Sequence, residues 1–316
     1  MVGVSVLIPT YNRADVLDRT LKDLRQVDRT RIDAEIILID NNSTDNTADV
    51  VASHQKNLPL IYLRETRLGK SCALNRALQE RPMRDIVVFM DDDVTPNTDW
   101  LQEIVSATRR WPEVSVFGGR IRVGWPDAKE PEWATSEWVR TFGFSWHDLG
   151  DSEVFYEPPR CPFGPNYWVR RRVFDAVPLF DESIGPKPTS TIMGDETAFL
   201  MELQKHGYRE LYCPKVQVEH RIRRSACRIE ALRKRGYTFG RGHVRLFGLH
   251  RRHLYERSKL LWSLVLCGDF AYTALRLTRG MLARSARRNC EITVASMIRF
   301  GALSESVNRA FNHQVS

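Results

Sequence analysis

Short apolar runs at 4–9, 35–40, 60–63 and 86–90, rich in Val, Ile and Leu, each give way to polar residues. Between them, 15–27, 44–53 and 69–78 carry apolar positions at helical spacing. Strands alternating with helices predict an α/β fold with a mostly parallel central sheet covered on both faces. Ligands bind such sheets beyond the carboxyl ends of the strands. That rule singles out the polar clusters at 9–12, 40–43 and 91–93. From 124 to about 165 the texture changes, with Trp125, Trp133, Trp138 and Trp146 interleaved with Pro126, Pro131, Pro158 and Pro159. This reads as a long irregular segment whose aromatics either pack or stack on sugar rings. Helical patterning returns at 196–206 and from about 226, and no internal repeat interrupts the chain.

Charge changes this picture at the C-terminal end. The net charge is +8 over 316 residues. Residues 1–220 hold 27 Lys and Arg against 34 Asp and Glu, a balance of −7, and residues 221–316 hold 20 against 5, a balance of +15. A basic, helical last third points to an anionic surface or partner. Its apolar run from Leu260 to Cys267 is followed by Asp269 and Arg276, which leaves it short of the roughly 20 apolar residues of a comfortable span. It is expected to lie on a membrane surface or pack on the body. Six scattered cysteines without a C-x-x-C pair suit reduced thiols. The opening residues read directly into a strand, not as a leader, so the expected place is the cytoplasm, with the basic tail on the inner face of the cell membrane.

The sharpest chemical feature is Asp91-Asp92-Asp93 after the fourth apolar run. Three adjacent carboxylates at a buried strand end repel one another and call for a cation. Hard divalent cations take oxygen ligands, and Mg²⁺ commonly bridges carboxylates to substrate phosphates. The same residues with Val94-Thr95 also fit D-x-D-x-T, the nucleophile signature of haloacid-dehalogenase-like phosphatases. That signature normally follows the first strand, and Phe199 stands where its G-D-x-x-x-D partner needs an acid. A dinucleotide oxidoreductase is disfavoured because no G-x-G-x-x-G follows the first strand.

The order of motifs carries a resemblance. Val4–Arg13 resembles the opening strand and loop of family-2 glycosyltransferases, which have the GT-A fold and invert the anomeric centre. Ile37–Asp45 is similar to their second-strand signature, Gly69-Lys70 with Asn75 to their Gly…Asn helix start, and Asp91–Asp93 to their D-x-D motif. Gly164-Pro165-Asn166 with Arg170-Arg171 resembles the acceptor-side G-x-N…R-R segment. Phe180-Asp181-Glu182 and Gly194-Asp195-Glu196 resemble the F-D-E and acidic base motifs. The resemblance covers about 2–222 and implies a GT-A domain over 1–222, with a donor half at 1–125 and an acceptor half at 126–222. Residues 223–316 form a basic helical extension outside it.

The resemblance implies transfer of a sugar from a nucleotide-sugar donor, with uridine diphosphate the favoured carrier, to a saccharide or lipid-linked acceptor in polysaccharide or glycolipid synthesis. It assigns donor contacts to Pro9, Thr10, Tyr11, Asn12, Arg13, Asp40, Asn42, Lys70, Asp91 and Asp92. Asp93, Asp91 and His220 are implied ligands of Mn²⁺ or Mg²⁺, and Gly164, Asn166 and Trp146 are placed on the acceptor side. The base is Glu196 by position or Asp195 by residue type, because this chain reads Asp-Glu where the family reads Glu-Asp. Asn41-Asn42 replaces the usual Asp-Gly, and Pro165 replaces a small residue. The competing non-enzymatic reading is a membrane or nucleic-acid adaptor on a degenerate transferase fold; no nucleic-acid partner is expected.

Overall fold

The computed structural model describes residues 1–187 and 190–311. Contacts divide the chain into two compact units, one of Met1–Gly124, Ser145–Pro188 and Asp195–Arg221, the other of Trp125–Phe144, Thr189–Gly194 and Ile222–Ser316.

The first unit is built on a sheet. Strands β1 (Val2–Thr10), β2 (Ile32–Asp40), β3 (Leu60–Arg64) and β4 (Ile86–Phe89) pair in parallel in the order β3-β2-β1-β4. Helices α1 (Ala14–Leu24), α2 (Thr47–His54) and α3 (Lys70–Glu80) connect them. Alternate residues of the strands feed two separate cores. Val4, Val6, Ile8, Ile36 and Leu38 pack with Leu17 and Leu21 of α1, while Leu7, Ile37 and Ile39 pack with Ala73, Leu74 and Ala77 of α3. Both faces are therefore covered, which is why these strands read as continuous apolar runs.

Beyond β4 the sheet becomes mixed, so the expected parallel arrangement describes its first four strands. After β5 (Val94–Pro96), α4 (Trp100–Arg110) and β6 (Val116–Gly124) come α5 (Glu137–Phe144), β7 (Val154–Phe155) and β8 (Tyr167–Arg170). Then follow β9 (Gly185–Lys187), β10 (Ser190–Ile192), α6 (Asp195–Lys205) and β11 (Glu210–Arg221). Strand β8 lies between β4 and β6 and is antiparallel to both. Strand β11 runs parallel to β6, with a register shift between Cys213 and Gln217, and its end pairs antiparallel with β5. That last pairing sets His220 opposite Val94, one residue after the acidic run.

The second unit, to which α5 and β10 belong, is mainly helical: α7 (Ile229–Phe247), α8 (Arg252–Arg257), α9 (Lys259–Met281) and α10 (Ala286–Phe311). Helices α7 and α10 meet at backbone distance, for a Cβ on Gly240 would collide with the Ile298 carbonyl and one on Gly301 with that of Tyr237. Trp125 and Trp133 both rest against Phe144, so two of the irregular segment's tryptophans pack. Asp269 and Arg276 do not end α9. It runs for 23 residues and is by length and composition apolar enough to cross a membrane.

Candidate active site

Strand ends and the loops after them assemble the site inside the first unit. Thr10, the last residue of β1, is buried and donates its hydroxyl to Asp92 Oδ2 at 2.7 Å. Arg13 spans the next two carboxylates, Nη1 to Asp92 Oδ1 and Nη2 to Asp93 Oδ2, each at 2.6 Å. Burial pushes Asp92 up, against the pull of Arg13. Burial acts on Asp93 too, yet His220 and Arg13 hold it well below the usual carboxylate range. His220 Nε2 lies 3.4 Å from Asp93 Oδ1, and that buried oxygen has no hydrogen bond of good geometry.

Asp91 turns the other way. Its Oδ1 accepts from Lys70 Nζ at 2.5 Å, and the same ammonium donates to Glu196 Oε1 on α6. Among the described residues no three His, Cys, Asp or Glu side chains are grouped to hold a metal ion. The structure thus brings Asp93 and His220 together and commits Asp91 to Lys70. A narrow cleft is lined by Pro9, Lys70, Asp91, Gly164, Tyr167 and Glu196, among others.

The two candidate bases differ in state. Asp195, the first residue of α6, is 2% exposed, and burial together with the charge of Glu196 pushes it well above its ordinary value. Glu196 is also raised by burial, but Lys70 outweighs this and keeps it ionised. Lys70 in turn loses by burial and gains more from Asp91 and Glu196, which keep it charged. Glu196 therefore presents the carboxylate to the cleft. Gly164 makes room for it, because a Cβ there would run into Glu196 Oε1.

Several residues expected at the ligand are occupied by the fold. Asn12, at φ 49°, accepts from the Thr44 backbone N–H through its side chain. Asp40 accepts from the Ser43 N–H at 2.8 Å and the Tyr62 hydroxyl at 2.6 Å. Asn42, at φ 65°, accepts from Arg64. Asn166 is fully buried; its amide donates to the Arg120 and Val216 carbonyls and accepts from the Trp100 indole. It fastens the loop carrying Gly164 and has no polar atom left for an acceptor. Tyr11 is half-buried in the loop after β1, and Trp146, half-buried, is not among the cleft-lining residues. Phe199, the position where a phosphatase would need its second acid, is packed in the core.

Sequence reasoning gave Asn41 no role. Its amide holds the Glu65 and Arg67 carbonyls and its oxygen accepts from Gly69 N–H, tying the end of β2 to the start of α3. A strand-end Asn facing a Gly-Lys helix start was the available signal. Asn75 likewise joins motifs read separately, donating to the Phe180 carbonyl and to Glu182 and accepting from the Phe180 N–H.

Comparison with known proteins defines the class. The sequence model of Glycosyl transferase family 2 matches residues 5–176, more than half of the chain, and the chain belongs to that family. Its architecture is the GT-A fold: a mannosyltransferase of Pyrobaculum calidifontis, solved with GDP-Man and Mn²⁺, superposes with a TM-score of 0.62 at 20% identity, over 96% of this chain and 86% of that one. The N-acetylglucosaminyl-diphospho-decaprenol L-rhamnosyltransferase of Mycobacterium tuberculosis is 26% identical over 91% of this chain and 96% of its own. Validoxylamine A glucosyltransferase of Streptomyces hygroscopicus subsp. jinggangensis is 36% identical over 105 residues, 33% of this chain, and the match spans only 25% of that relative's length.

Proposed function

We propose that this protein is an inverting glycosyltransferase that moves a sugar from a nucleoside-diphosphate donor to the hydroxyl of a lipid-linked saccharide. The observation that carries the reading is the meeting of two acidic elements in one cleft. Asp91, from the end of β4, and Glu196, from α6, both reach Lys70 Nζ. Inverting displacement needs a charge-compensated leaving group on one side of the sugar and a base on the other. In this reading Lys70 and Arg13 supply positive charge on the donor side, with Asp91 and Asp92 fixing their positions. Glu196, ionised and facing the cleft, takes the acceptor proton. Asp195 is the buried neighbour that supports it. The decaprenol-linked substrate named for the mycobacterial relative supports a lipid-linked acceptor.

The donor set fits a divalent cation in part. Asp93 Oδ1 is buried, lacks a hydrogen bond and faces the imidazole of His220, an oxygen and nitrogen pair suited to a Mn²⁺-type ion. When bound, such an ion supplies charge to the departing diphosphate. Asp93 and His220 would hold it, and Arg13 would release one oxygen of Asp93 as it turned to the phosphates.

The test is donor turnover screened across uridine, guanosine and thymidine diphosphate sugars, with and without Mn²⁺. Turnover of one class is expected, and Asp93→Ala should lower it by at least about a hundredfold while weakening donor binding. Absence of binding and turnover with every nucleotide sugar overturns the transferase reading. Full activity of Asp93→Ala, or undiminished turnover in excess chelator, overturns the cation alone.

A further inference from the structure

The second unit carries a surface that includes none of the site residues described above. Helix α9 has two unlike faces. Trp262, Leu266, Asp269, Thr273 and Gly280 are buried, and Trp262 and Leu266 pack with Leu303 of α10. On the opposite side Leu260, Leu264, Ala271, Leu275 and Leu282 recur at steps of four and seven residues, one stripe of a helix. These leucines are 73%, 63%, 50% and 78% exposed, which is far from the isolated surface leucine of an ordinary protein.

Asp269, the acid within this helix, leaves the stripe intact because it faces inward. Arg251 Nε donates to it at 2.7 Å, Arg299 of α10 donates to its other oxygen, and His250 stands 3.2 Å away. Cations flank the stripe at both ends. Arg252 and Arg287 are paired with Glu256 and Glu291. By contrast Arg257 and Lys259 before the stripe, and Arg279, Arg284 and Arg288 at its far end, make no ion pair among the described residues.

We propose that α9 lies in the plane of an anionic lipid bilayer, its leucine stripe at the acyl boundary and its flanking cations among the headgroup phosphates. An apolar face framed by uncompensated cations has the chemistry of that interface. A spanning α9 would have to strip Asp269 of Arg251 and Arg299 or carry all three into hydrocarbon, where ionisable groups are costly. A second copy of the chain is a poorer occupant, because a symmetric pairing of two such helices sets basic ends against basic ends. The proposal stands for any donor and any acceptor.

Flotation of the full chain with vesicles of equal parts phosphatidylglycerol and phosphatidylcholine, and with phosphatidylcholine alone, tests it. Binding to the anionic vesicles that weakens with salt is expected. Leu264→Glu with Leu275→Glu should lower that binding by at least about tenfold, since two exposed leucines lose their lipid contact. Arg279→Glu with Arg284→Glu should abolish the salt-sensitive part, and this pair, which leaves the helix core untouched, keeps the test open if the leucine pair unfolds. Nucleotide-sugar binding and thermal melts report folding of both. Equal flotation of wild type and variants overturns the proposal, as does equal binding to neutral vesicles. Resistance of the bound protein to alkaline extraction would mean that α9 spans. A dimer in light scattering that the leucine pair abolishes, without vesicle binding, would give the stripe to a second copy.

Discussion

Glu196 and Asp195 are chain neighbours whose carboxyls are shifted in opposite directions, and the difference comes from what each touches. Of the two, only Glu196 is bonded by Lys70, while Asp195 is sealed in with its neighbour's charge. Burial and the charge of Glu196 favour the neutral form of Asp195, which Asn resembles in shape and hydrogen bonding, so Asp195→Asn should leave kcat within a few-fold of wild type. Glu196→Gln keeps the volume but cannot take a proton, and kcat should fall by at least about a hundredfold with donor affinity little changed. Transfer rates of the two variants, with nucleotide binding as control, check this. A larger loss from Asp195→Asn than from Glu196→Gln would reverse the roles. The downward shift of Glu196 depends on Lys70, an exposed-looking lysine in the sequence whose two carboxylate partners lie 21 and 126 residues away.

At the scale of elements, the loop before β8 and the start of α6 are fitted to each other. Gly164 leaves the space that the Glu196 carboxylate fills. The atom a new Cβ would meet is the end of a flexible side chain, so Gly164→Ala should move Glu196 while sparing the fold. We expect kcat to drop about ten- to a hundredfold, since small misplacement of a reacting group is that costly. An unchanged melting temperature beside that loss is the expected pattern, and an unchanged kcat counts against the placement of Glu196. The strand and helix alternation before β5 was legible in the sequence because the inner strands are buried on both faces, edge strand β3 is half-buried, and each helix is buried on one side. Helix α4 has its own periodic apolar positions at Trp100, Leu101, Ile104 and Val105, which pattern reading could have found. The antiparallel insertion of β8 could not be read, because pairing order depends on contacts across the whole sheet. Nor could the occupation of Asn166 by Trp100, Arg120 and Val216, partners scattered over more than a hundred residues. The motif letters were visible; which of them face the cleft and which hold the backbone was not.

At the scale of the whole molecule, Glu210 at the start of β11 bears on stability. It is 2% exposed, has one oxygen without a hydrogen bond, and burial pushes it up to about 8 from 4.5. The folded chain thus keeps a proton that the unfolded chain releases at lower pH. That contribution is full below pH 4.5 and is lost as pH rises through 8. Glu210→Gln removes the ionisable group, so its melting temperature should exceed that of wild type at pH 9, with the gap closing in mild acid. A constant gap across that range would argue against a buried titration at this position. A different consequence follows from the division of the chain. The second unit includes 125–144, whose short helical turn Glu132–Ala134 packs on α10, the last helix of the described chain. During synthesis that segment leaves the ribosome long before its partner exists. At about 5–20 residues per second its wait is of order ten to thirty seconds. Trp125 and Trp133 can close on Phe144 within the segment at once, but the turn itself is completed only when the chain is nearly finished.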